Sequence, residues 1–403
     1  MNEFLRVLTF AQARGLLRDN FPGRGMVNKP LAEAAGYSLA EDVKSPEDLP
    51  AFNRSTVDGY VVNAADTYGS SESLPSFMVY AGEIAMGQAA GIELATGQCA
   101  WIPTGGMLPL GANAAVMVEY TEKLADDTVL IYRPVGPWEN TMQTGEDVGG
   151  GQVLFRAGHR LRPQDIGLLA SLGINEILVK CPLRAGIIST GNEIVPVVAQ
   201  PGIGQVRDVN SLALAAAVWQ CGALARNYPI VPDDFNALQE AVNLALQEND
   251  IILLSGGSSV GVKDMTLEVL LNYPEAQLLF HGLAVKPGKP TLAVRLGEKL
   301  AVGLPGHPVS ALMMFHIMCA PWLASERLIS RTGALEFNLA SQPGRDDFIP
   351  VQIIEETGGA ATVHPLLGKS GLMSILALAD GYIHIAYEQQ GLKAGETVNV
   401  TLF

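Results

Sequence analysis

The chain has few cationic residues and lacks any long apolar run. Its 26 Lys and Arg residues are outnumbered by 41 Asp and Glu residues, which gives a formal net charge of −15. This deficit argues against nucleic acid or an anionic membrane as a partner, because both are bound through a basic face. No apolar run reaches the roughly 18 residues that a membrane span needs, so we expect no membrane contact.

Cysteine is also scarce, and the usual metal and disulfide patterns are missing. The four cysteines are far apart and none forms a Cys-x-x-Cys pair, which predicts buried, reduced thiols. No His-Glu-x-x-His segment supports a transition-metal site. The first residues show no basic segment followed by an apolar block, so we expect no secretory signal and predict a cytoplasmic protein.

The sequence does contain three similar corners, each a buried strand that runs into a Gly-rich or Pro-rich turn. The strands are predicted at residues 185–189, 251–254 and 300–304, and the turns at 190–193, 255–257 and 305–310. Strand ends of this kind fit one crevice at the carboxyl edge of an open α/β sheet.

The second corner predicts a cradle for an oxyanion or a phosphate. Glycine lets the backbone approach a ligand closely, and a helix predicted at residues 266–271 would add free N–H groups. Asp264 lies at the rim, where a carboxylate could hold a divalent cation. Because the global charge repels anions, Lys286 and Lys289 are the candidate cations of the site.

Residues 181–330 alternate strand and helix, which predicts a doubly wound α/β domain. The helix over 235–247 would be capped by Asp233 or Asp234. Short strands separated by Gly, Pro and Asn predict a β-rich domain, inserted between two halves of a small helical linking domain. Within the linking domain, residues 10–40 are expected to be helical. Strands and turns return in a C-terminal β domain. The predicted boundaries are 1–45 and 141–180 for the linking domain, 46–140 for the insertion, 181–330 for the α/β domain and 331–403 for the C-terminal domain. Part of 1–25 is expected to pack on the α/β domain.

Residues 257–261 also fit Gly-x-Ser-x-Gly, the nucleophile elbow of α/β-hydrolases. Ser259 would then need a histidine and an acid, and no histidine downstream has a diagnostic context. A hydrolase also leaves the other two corners and the lysine loop unexplained, so this alternative is disfavoured. The same segment is not a Walker A motif, since Val262-Lys263 follows its last glycine.

Taken in order, these segments resemble the molybdopterin molybdenumtransferase family, called MoeA in bacteria and gephyrin E domain in animals. The similarity runs from about Pro30 to the C-terminus. Its motifs are STVDGY at 55–60, PTGG at 103–106, GANA at 111–114, TGED at 144–147, TGNE at 190–193, the loop 255–264, KPGKP at 286–290, LPGHPVS at 304–310, and residues 344–345 and 368–370.

The resemblance implies an elongated homodimer of four-domain subunits, with a doubly wound domain similar to MoaB and MogA and a barrel-like C-terminal domain. It implies insertion of molybdate into adenylylated molybdopterin, with release of AMP, a requirement for Mg2+ and an upstream adenylyltransferase. Glu193 and Asp264 would hold the metal. Asp58 and Thr104 would reach the cleft from the partner subunit. The implied substrate-binding residues are Ser255, Gly256, Gly257, Ser258, Lys286, Lys289, Pro305, Gly306, Pro308, Arg345 and Ser370.

Four residues depart from the family pattern: Val57, Asn192, Ser258 and His307. Asn192 removes a possible metal-binding charge, and His307 can titrate near neutrality. These departures leave two alternatives open. One is a dimeric binding or scaffold protein on the same fold, and the other is a paralogue that uses tungstate, which is nearly isosteric with molybdate.

Overall fold

The computed structural model describes residues 7–256, 260–324, 329–355 and 361–403, with the backbone alone for 260–264. None of the described helices has the length and hydropathy to span a bilayer. The α-helices are α1 (Phe10–Asn20), α2 (Pro163–Ser171), α3 (Asn210–Gln220), α4 (Phe235–Glu248), α5 (Val260–Leu271), α6 (Pro308–Met314), α7 (Ala320–Leu323) and α8 (Ser374–Leu378), and a π-helical turn, Phe315–Cys319, joins α6 to α7.

The strands form three six-stranded sheets and several two-stranded ribbons within the described residues. They are β1 (Met26–Pro30), β2 (Val43–Lys44), β3 (Arg54–Ser55), β4 (Gly59–Val62), β5 (Ser76–Glu83), β6 (Gln98–Ile102), β7 (Ala114–Met117), β8 (Thr121–Lys123), β9 (Thr128–Ile131), β10 (Thr141–Met142), β11 (Val153–Phe155), β12 (Glu176–Lys180), β13 (Arg184–Thr190), β14 (Ile194–Val195), β15 (Val206–Arg207), β16 (Leu224–Asn227), β17 (Ile251–Gly256), β18 (Ala276–His281), β19 (Val285–Lys286), β20 (Leu292–Leu296), β21 (Lys299–Leu304), β22 (Ser330–Leu335), β23 (Leu339–Ala340), β24 (Asp346–Glu355), β25 (Ala361–Pro365), β26 (Gly381–Ile385), β27 (Gly391–Leu392) and β28 (Thr397–Leu402).

The sheet of the α/β domain has the order β16-β13-β17-β21-β20-β18. Its first four strands are parallel, and β20 and β18 run antiparallel to their neighbours. Alternate residues of β17 face opposite ways: Leu253 packs in a core with α1, α3 and α6, and Leu254 packs in a core with α4 and α5. Helices therefore cover both faces, which confirms the predicted doubly wound domain.

The linking region is less helical than the sequence predicts. Helix α1 ends at Asn20, and the segment that follows forms β1, which pairs antiparallel with β12. The expectation of helix for residues 10–40 is therefore wrong beyond Asn20. The segment Phe21-Pro22-Gly23 explains the early stop, because proline and glycine do not continue a helix. Helix α1 itself buries Ala13 and Leu17 in the core of the α/β domain.

The C-terminal sheet closes on itself. Strands β24, β25, β22, β28 and β26 pair in that order, and β26 pairs again with β24. This ring confirms the predicted barrel-like domain. Strand β19 of the α/β segment joins the ring by pairing with β24, so the barrel is attached next to the lysine loop. The inserted domain has its own sheet, in the order β7-β4-β6-β5-β9-β8.

Asp165 holds the start of α2 in place, and its removal is expected to destabilise the linking region. The Asp165 carboxylate is almost fully buried and contacts His159 Nε2 at 2.7 Å, and it accepts hydrogen bonds from the Arg162 backbone and guanidinium at 2.9–3.0 Å. The Arg162 guanidinium, followed by His159, holds the pKa of Asp165 well below its usual range. We expect Asp165→Ala to lower the free energy of unfolding by about 2–3 kcal/mol, as for hydrogen bonds to a charged group.

Urea unfolding at neutral pH measures this loss. Glu33→Ala is the matched control, because Glu33 forms an exposed pair with Lys29 at 3.4 Å and should cost less than about 1 kcal/mol. Since the folded-state pKa of Asp165 lies below that of an unfolded chain, its contribution is present at neutral pH and is lost as pH falls below about 4. Equal losses in the two variants would contradict this role.

Candidate active site

The three predicted corners meet at one edge of the α/β sheet. Strand β13 pairs with β17, which places Thr190 beside Gly256, and β17 pairs with β21, which places Ser255 beside Leu304. All three strands are parallel, so their turns leave the sheet on the same side. A crevice opens there, and Thr190, Gly256, Pro290 and Leu304 are among the residues that line it. The predicted convergence of the corners is confirmed.

Gly256 allows a close approach between two of these corners. A Cβ atom at Gly256 would lie 1.7 Å from Thr190 Oγ1 and 2.7 Å from the Thr190 carbonyl oxygen. No other residue type fits without displacing β13. Helix α5 begins at Val260, six residues before the predicted start, so its N-terminus directly follows the corner. Gly257, Ser258 and the side chain of Asp264 lie outside the described residues.

The first corner carries a carboxylate above its glycine. The two Glu193 carboxylate oxygens lie 2.7 and 3.1 Å from the position that a Cβ on Gly191 would occupy, and Gly191 has a φ of +147°. The Gly191 N–H donates to the Val231 carbonyl at 3.1 Å, which ties the corner to the loop after β16. Glu193, predicted as a metal ligand, therefore stands at the edge of the crevice.

Asp233 is a site residue that the sequence did not reveal. The Asn192 N–H donates to Asp233 Oδ2 at 3.3 Å, and the Asp233 N–H donates back to Asn192 Oδ1 at 3.2 Å. Asp234 caps α4 instead, by accepting from the Ala237 N–H. The Oδ1 atom of Asp233 is buried and has no hydrogen-bond partner among the described residues. A buried carboxylate oxygen without a partner is costly, which favours a cation as its missing partner.

Glu193 and Asp233 are the carboxylates of this corner whose chemistry suits a magnesium ion. Mg2+ prefers oxygen ligands, and proteins often hold it through one or two carboxylates while waters and substrate phosphates complete the shell. Within the described residues no group of three or more His, Cys, Asp or Glu side chains could hold a metal ion by itself. Asp233, bonded to Asn192, carries a negative charge at the position where Asn192 has none.

A buried aspartate fixes the base of the crevice. Asp208 Oδ1 accepts the Ser189 hydroxyl at 3.0 Å and the Ser211 N–H at 3.1 Å, which links β13 to the start of α3. From the same helix, Asn210 Nδ2 donates to the Gly306 carbonyl of the third corner at 2.9 Å. These bonds fix the first and third corners relative to each other.

The predicted lysine loop borders the crevice and is held on both sides. Lys286 lies in β19, where it is the register partner of Asp347 in strand β24 of the C-terminal barrel. Both Lys286 and Lys289 are exposed. Gly288 has a φ of +104°, and a Cβ there would lie 2.1 Å from the sulfur of Met314 in α6. The turn between the lysines therefore packs tightly on α6, while both ammonium groups remain accessible.

Two further predicted residues come from the C-terminal domain. Arg345 Nε donates to Asp347 Oδ1 at 2.7 Å. The guanidinium is therefore held by the residue that is the register partner of Lys286 across β19 and β24. Ser370 Oγ contacts His307 Nδ1 at 3.0 Å, and the Val309 N–H donates to the Ser370 carbonyl at 3.1 Å. The structure thus brings Ser370 against the third corner, which contains Pro305, Gly306 and Pro308, and bonds Arg345 to Asp347 of β24.

Asp58 and Thr104 form a separate pair in the inserted domain. Asp58 Oδ1 accepts the Thr104 N–H at 2.6 Å and the Thr104 hydroxyl at 2.9 Å. These two bonds, the backbone one first, lower the pKa of Asp58 below its usual value. The two predicted residues are brought together as an exposed, ionised and oriented carboxylate. Their approach to the crevice of a partner subunit stays a prediction.

Family profiles match nearly the whole chain in three consecutive pieces. The MoeA N-terminal region (domain I and II) matches residues 8–173, a probable molybdopterin binding domain matches 186–325, and the MoeA C-terminal region (domain IV) matches 332–403. The motifs that suggested the resemblance are distributed over all three pieces.

Individual proteins agree with these profiles. A Methanocaldococcus jannaschii protein assigned to molybdopterin biosynthesis is 36% identical over 92% of this chain and 91% of its own length. The molybdopterin molybdenumtransferase of Haemophilus influenzae is 31% identical over 98% of this chain and 99% of its own. Two structures of the MoeA protein from Pyrococcus horikoshii, both 32% identical, cover 98% and 99% of this chain and 99% and 100% of theirs, with TM-scores of 0.85 and 0.82. The chain belongs to the MoeA family of molybdopterin biosynthesis proteins.

Proposed function

We propose that this protein is a magnesium-dependent molybdenumtransferase that inserts molybdate into adenylylated molybdopterin and releases AMP. The observation that carries the proposal is the presence of two sets of charged residues next to the corners of the sheet edge. Glu193 and Asp233 belong to the first corner and to the loop bonded to it, and Lys286 and Arg345 belong to β19 and to the segment before β24, its partner strand. A phosphate-bearing substrate and a tetrahedral oxyanion need both a metal site and fixed cations.

Each part of the site has a distinct task. The backbone at Gly256, which lines the crevice and carries no side chain of its own, would approach a phosphate group. Magnesium held by Glu193, Asp233 and Asp264 would neutralise phosphate charge when it is bound. Lys286, Lys289 and Arg345 would donate to the molybdate oxygens, and so would the Ser370 hydroxyl, which contacts His307 Nδ1. In the homodimer proposed below, Asp58, held ionised by Thr104, would accept a proton or orient water.

Loss of one cation is expected to weaken the use of molybdate. In a chain with a net charge of −15, anion affinity depends on a few local cations. We expect Lys289→Ala to cost on the order of 1.5–3 kcal/mol, the worth of a charge-assisted hydrogen bond, which is roughly a tenfold to hundredfold higher molybdate requirement. Binding of the adenylylated pterin should change less. A molybdate titration that matches wild type, with exposed Lys393→Ala as the control, would remove Lys289 from the site.

We also propose that the active unit is a homodimer. Val209 (40%), which immediately precedes α3, and Leu212 (54%) and Trp219 (61%) on α3 are exposed at spacings of three and seven residues. The nearby loop exposes Ile203 almost completely. Apolar side chains at helical spacing on one exposed face are typical of an interface. A second copy seated there is also what would allow Asp58 of one subunit to serve the crevice of the other.

Charge on this face is expected to separate the subunits. Light scattering of the wild type should give twice the subunit mass of 42.7 kDa, and Trp219→Glu should give the monomer mass. Leu278→Glu is the control, because Leu278 is also an exposed apolar residue (42%) but lies on edge strand β18. A monomeric wild type would contradict the dimer.

The remaining alternatives are tested separately. A scaffold protein should tolerate Asp264→Asn in cells that depend on it for cofactor production, whereas a transferase should not. Competition between molybdate and tungstate at matched concentrations decides which oxyanion is used, and we expect molybdate. Since the substrate is adenylylated, we propose that an upstream cytoplasmic adenylyltransferase supplies it.

A further inference from the structure

A second cleft lies at the opposite edge of the α/β sheet, away from the three corners. Its volume is about 410 Å³, within the usual range for small-molecule sites. The starts of four strands form one wall, with Arg184 on β13, Leu224 on β16, Asp250 before β17 and Lys299 on β21. The other wall comes from the linking region and includes Tyr37. The cleft is therefore an inter-domain site, which is a common place for ligands.

The charges in this back cleft are unlike those of the rest of the chain. Arg24, Lys29, Arg184 and Lys299 line it, against only two carboxylates, Glu248 and Asp250. Both carboxylates already accept protein hydrogen bonds: Glu248 from the Tyr228 hydroxyl at 2.5 Å, and Asp250 from the Arg184 backbone N–H at 2.8 Å. Lys29 also pairs with Glu33 at 3.4 Å, so Arg184 and Lys299 are the candidate cations for a ligand.

Two of these cations have donors to spare. Lys299 Nζ donates to the Leu246 carbonyl, a neutral acceptor, which leaves two of its three N–H groups. The Arg184 side chain is exposed and carries five N–H donors. Among the described residues, no carboxylate forms an ion pair with either side chain. An anion in the back cleft would satisfy both.

We propose that the back cleft binds a phosphate-bearing ligand of mononucleotide size. The phosphate would contact Arg184 and Lys299, which begin β13 and β21, the two strands on either side of β17. Asp250, just before β17, lies between these strand starts and has its Oδ2 atom bonded to the Arg184 backbone N–H. The rest of the ligand would lie on the apolar wall formed by Tyr37, Pro182 and Leu183. The ring of Tyr37 is already covered on one side by Lys29 Nζ, 4.8 Å from its centroid. Inorganic phosphate alone would leave most of the cleft unfilled.

Cys181 provides a local reporter, because it lines the back cleft and its side chain is only partly buried. We expect AMP, used as the probe, to slow alkylation of Cys181 by iodoacetamide in the intact protein, as followed by peptide mass spectrometry. Fully buried Cys99 and Cys319 are internal controls for unfolding. Arg184→Glu should weaken this protection by about tenfold to a hundredfold, as expected when a charge-assisted contact becomes repulsive. Equilibrium dialysis should show one AMP fewer per subunit in Arg184→Glu than in the wild type.

The outcomes separate this site from the active site. Glu193→Gln, which alters only the front crevice, should leave the protection of Cys181 by AMP unchanged, whatever happens to transferase activity. The proposal is overturned if dialysis gives equal AMP binding in wild type and Arg184→Glu, or if that variant protects Cys181 as well as the wild type. Protection by inorganic phosphate at the same concentrations as AMP would overturn the mononucleotide class.

Discussion

Replacing Glu193 by glutamine is expected to reduce magnesium-dependent AMP release by about 100-fold or more. Mutation of residues that only support a metal ligand already lowers metal affinity or activity by about 10- to 100-fold. The substitution keeps the shape of the side chain but removes the charge that stands over Gly191. Because Mg2+ is held by few protein ligands, the loss should be partly reversed by raising the magnesium concentration. Steady-state AMP release as a function of magnesium measures both effects.

Two further variants make the Glu193 result specific. Asp233→Asn should show the same magnesium-dependent defect, because it removes the buried, unpartnered oxygen beside Asn192. Glu240→Gln on the exposed side of α4 makes the same charge change in the same domain and should behave as wild type. A Glu193→Gln enzyme with normal rates and normal magnesium dependence would show that this corner holds no catalytic metal.

Gly256→Ala is expected to damage both the fold and the site. The new methyl group would overlap Thr190 Oγ1 at 1.7 Å, so β13 and β17 must separate at the corner. Overpacking of this kind costs about 1–3 kcal/mol of unfolding free energy. It should also lower the affinity for the adenylylated pterin, because the displaced backbone is the one that we propose to bind the phosphate. Urea unfolding and equilibrium binding measure the two effects.

The matched control for Gly256→Ala is Gly15→Ala in helix α1, where a Cβ would meet no atom within 4 Å. This control substitution should stabilise the protein by roughly 0.5–1 kcal/mol. Adding Thr190→Ala to Gly256→Ala removes the clashing hydroxyl and should recover part of the lost stability. The remaining contact with the Thr190 carbonyl, 2.7 Å away, prevents full recovery. Independent, additive effects of the two substitutions would contradict a direct clash.

The sequence predicts the edge of the α/β sheet well, because strand ends and glycines are local signals. The run from Ile251 to Leu254 alternates between two cores in the structure, as a strand buried on both faces must. The corners at Thr190, Gly256 and Leu304 follow from the same pattern, since parallel strands end at one edge. The lysine loop was found because Pro-Gly between two cations is conspicuous in an acidic chain.

The sequence could not show contacts that depend on distant segments. Asp233 and Asp234 are equivalent as helix caps in the sequence, and only the loop that passes Asn192 distinguishes them. Asp347 is one of many acids until β19 pairs with β24 and places it beside Lys286. The sequence predicts helix where β1 forms, because β1 is stabilised by pairing with β12, which lies about 150 residues further along the chain. Such a distant partner leaves no signal in the local sequence.

The most direct measurement of the central proposal is AMP release by the purified protein supplied with adenylylated molybdopterin, molybdate and magnesium. We predict that AMP is released and that active molybdenum cofactor is formed, in a reaction that needs all three components. Glu193→Gln in the same assay should fall close to the level without protein. AMP no higher with the wild-type protein than without it would contradict the assignment of this crevice as a molybdenumtransferase active site.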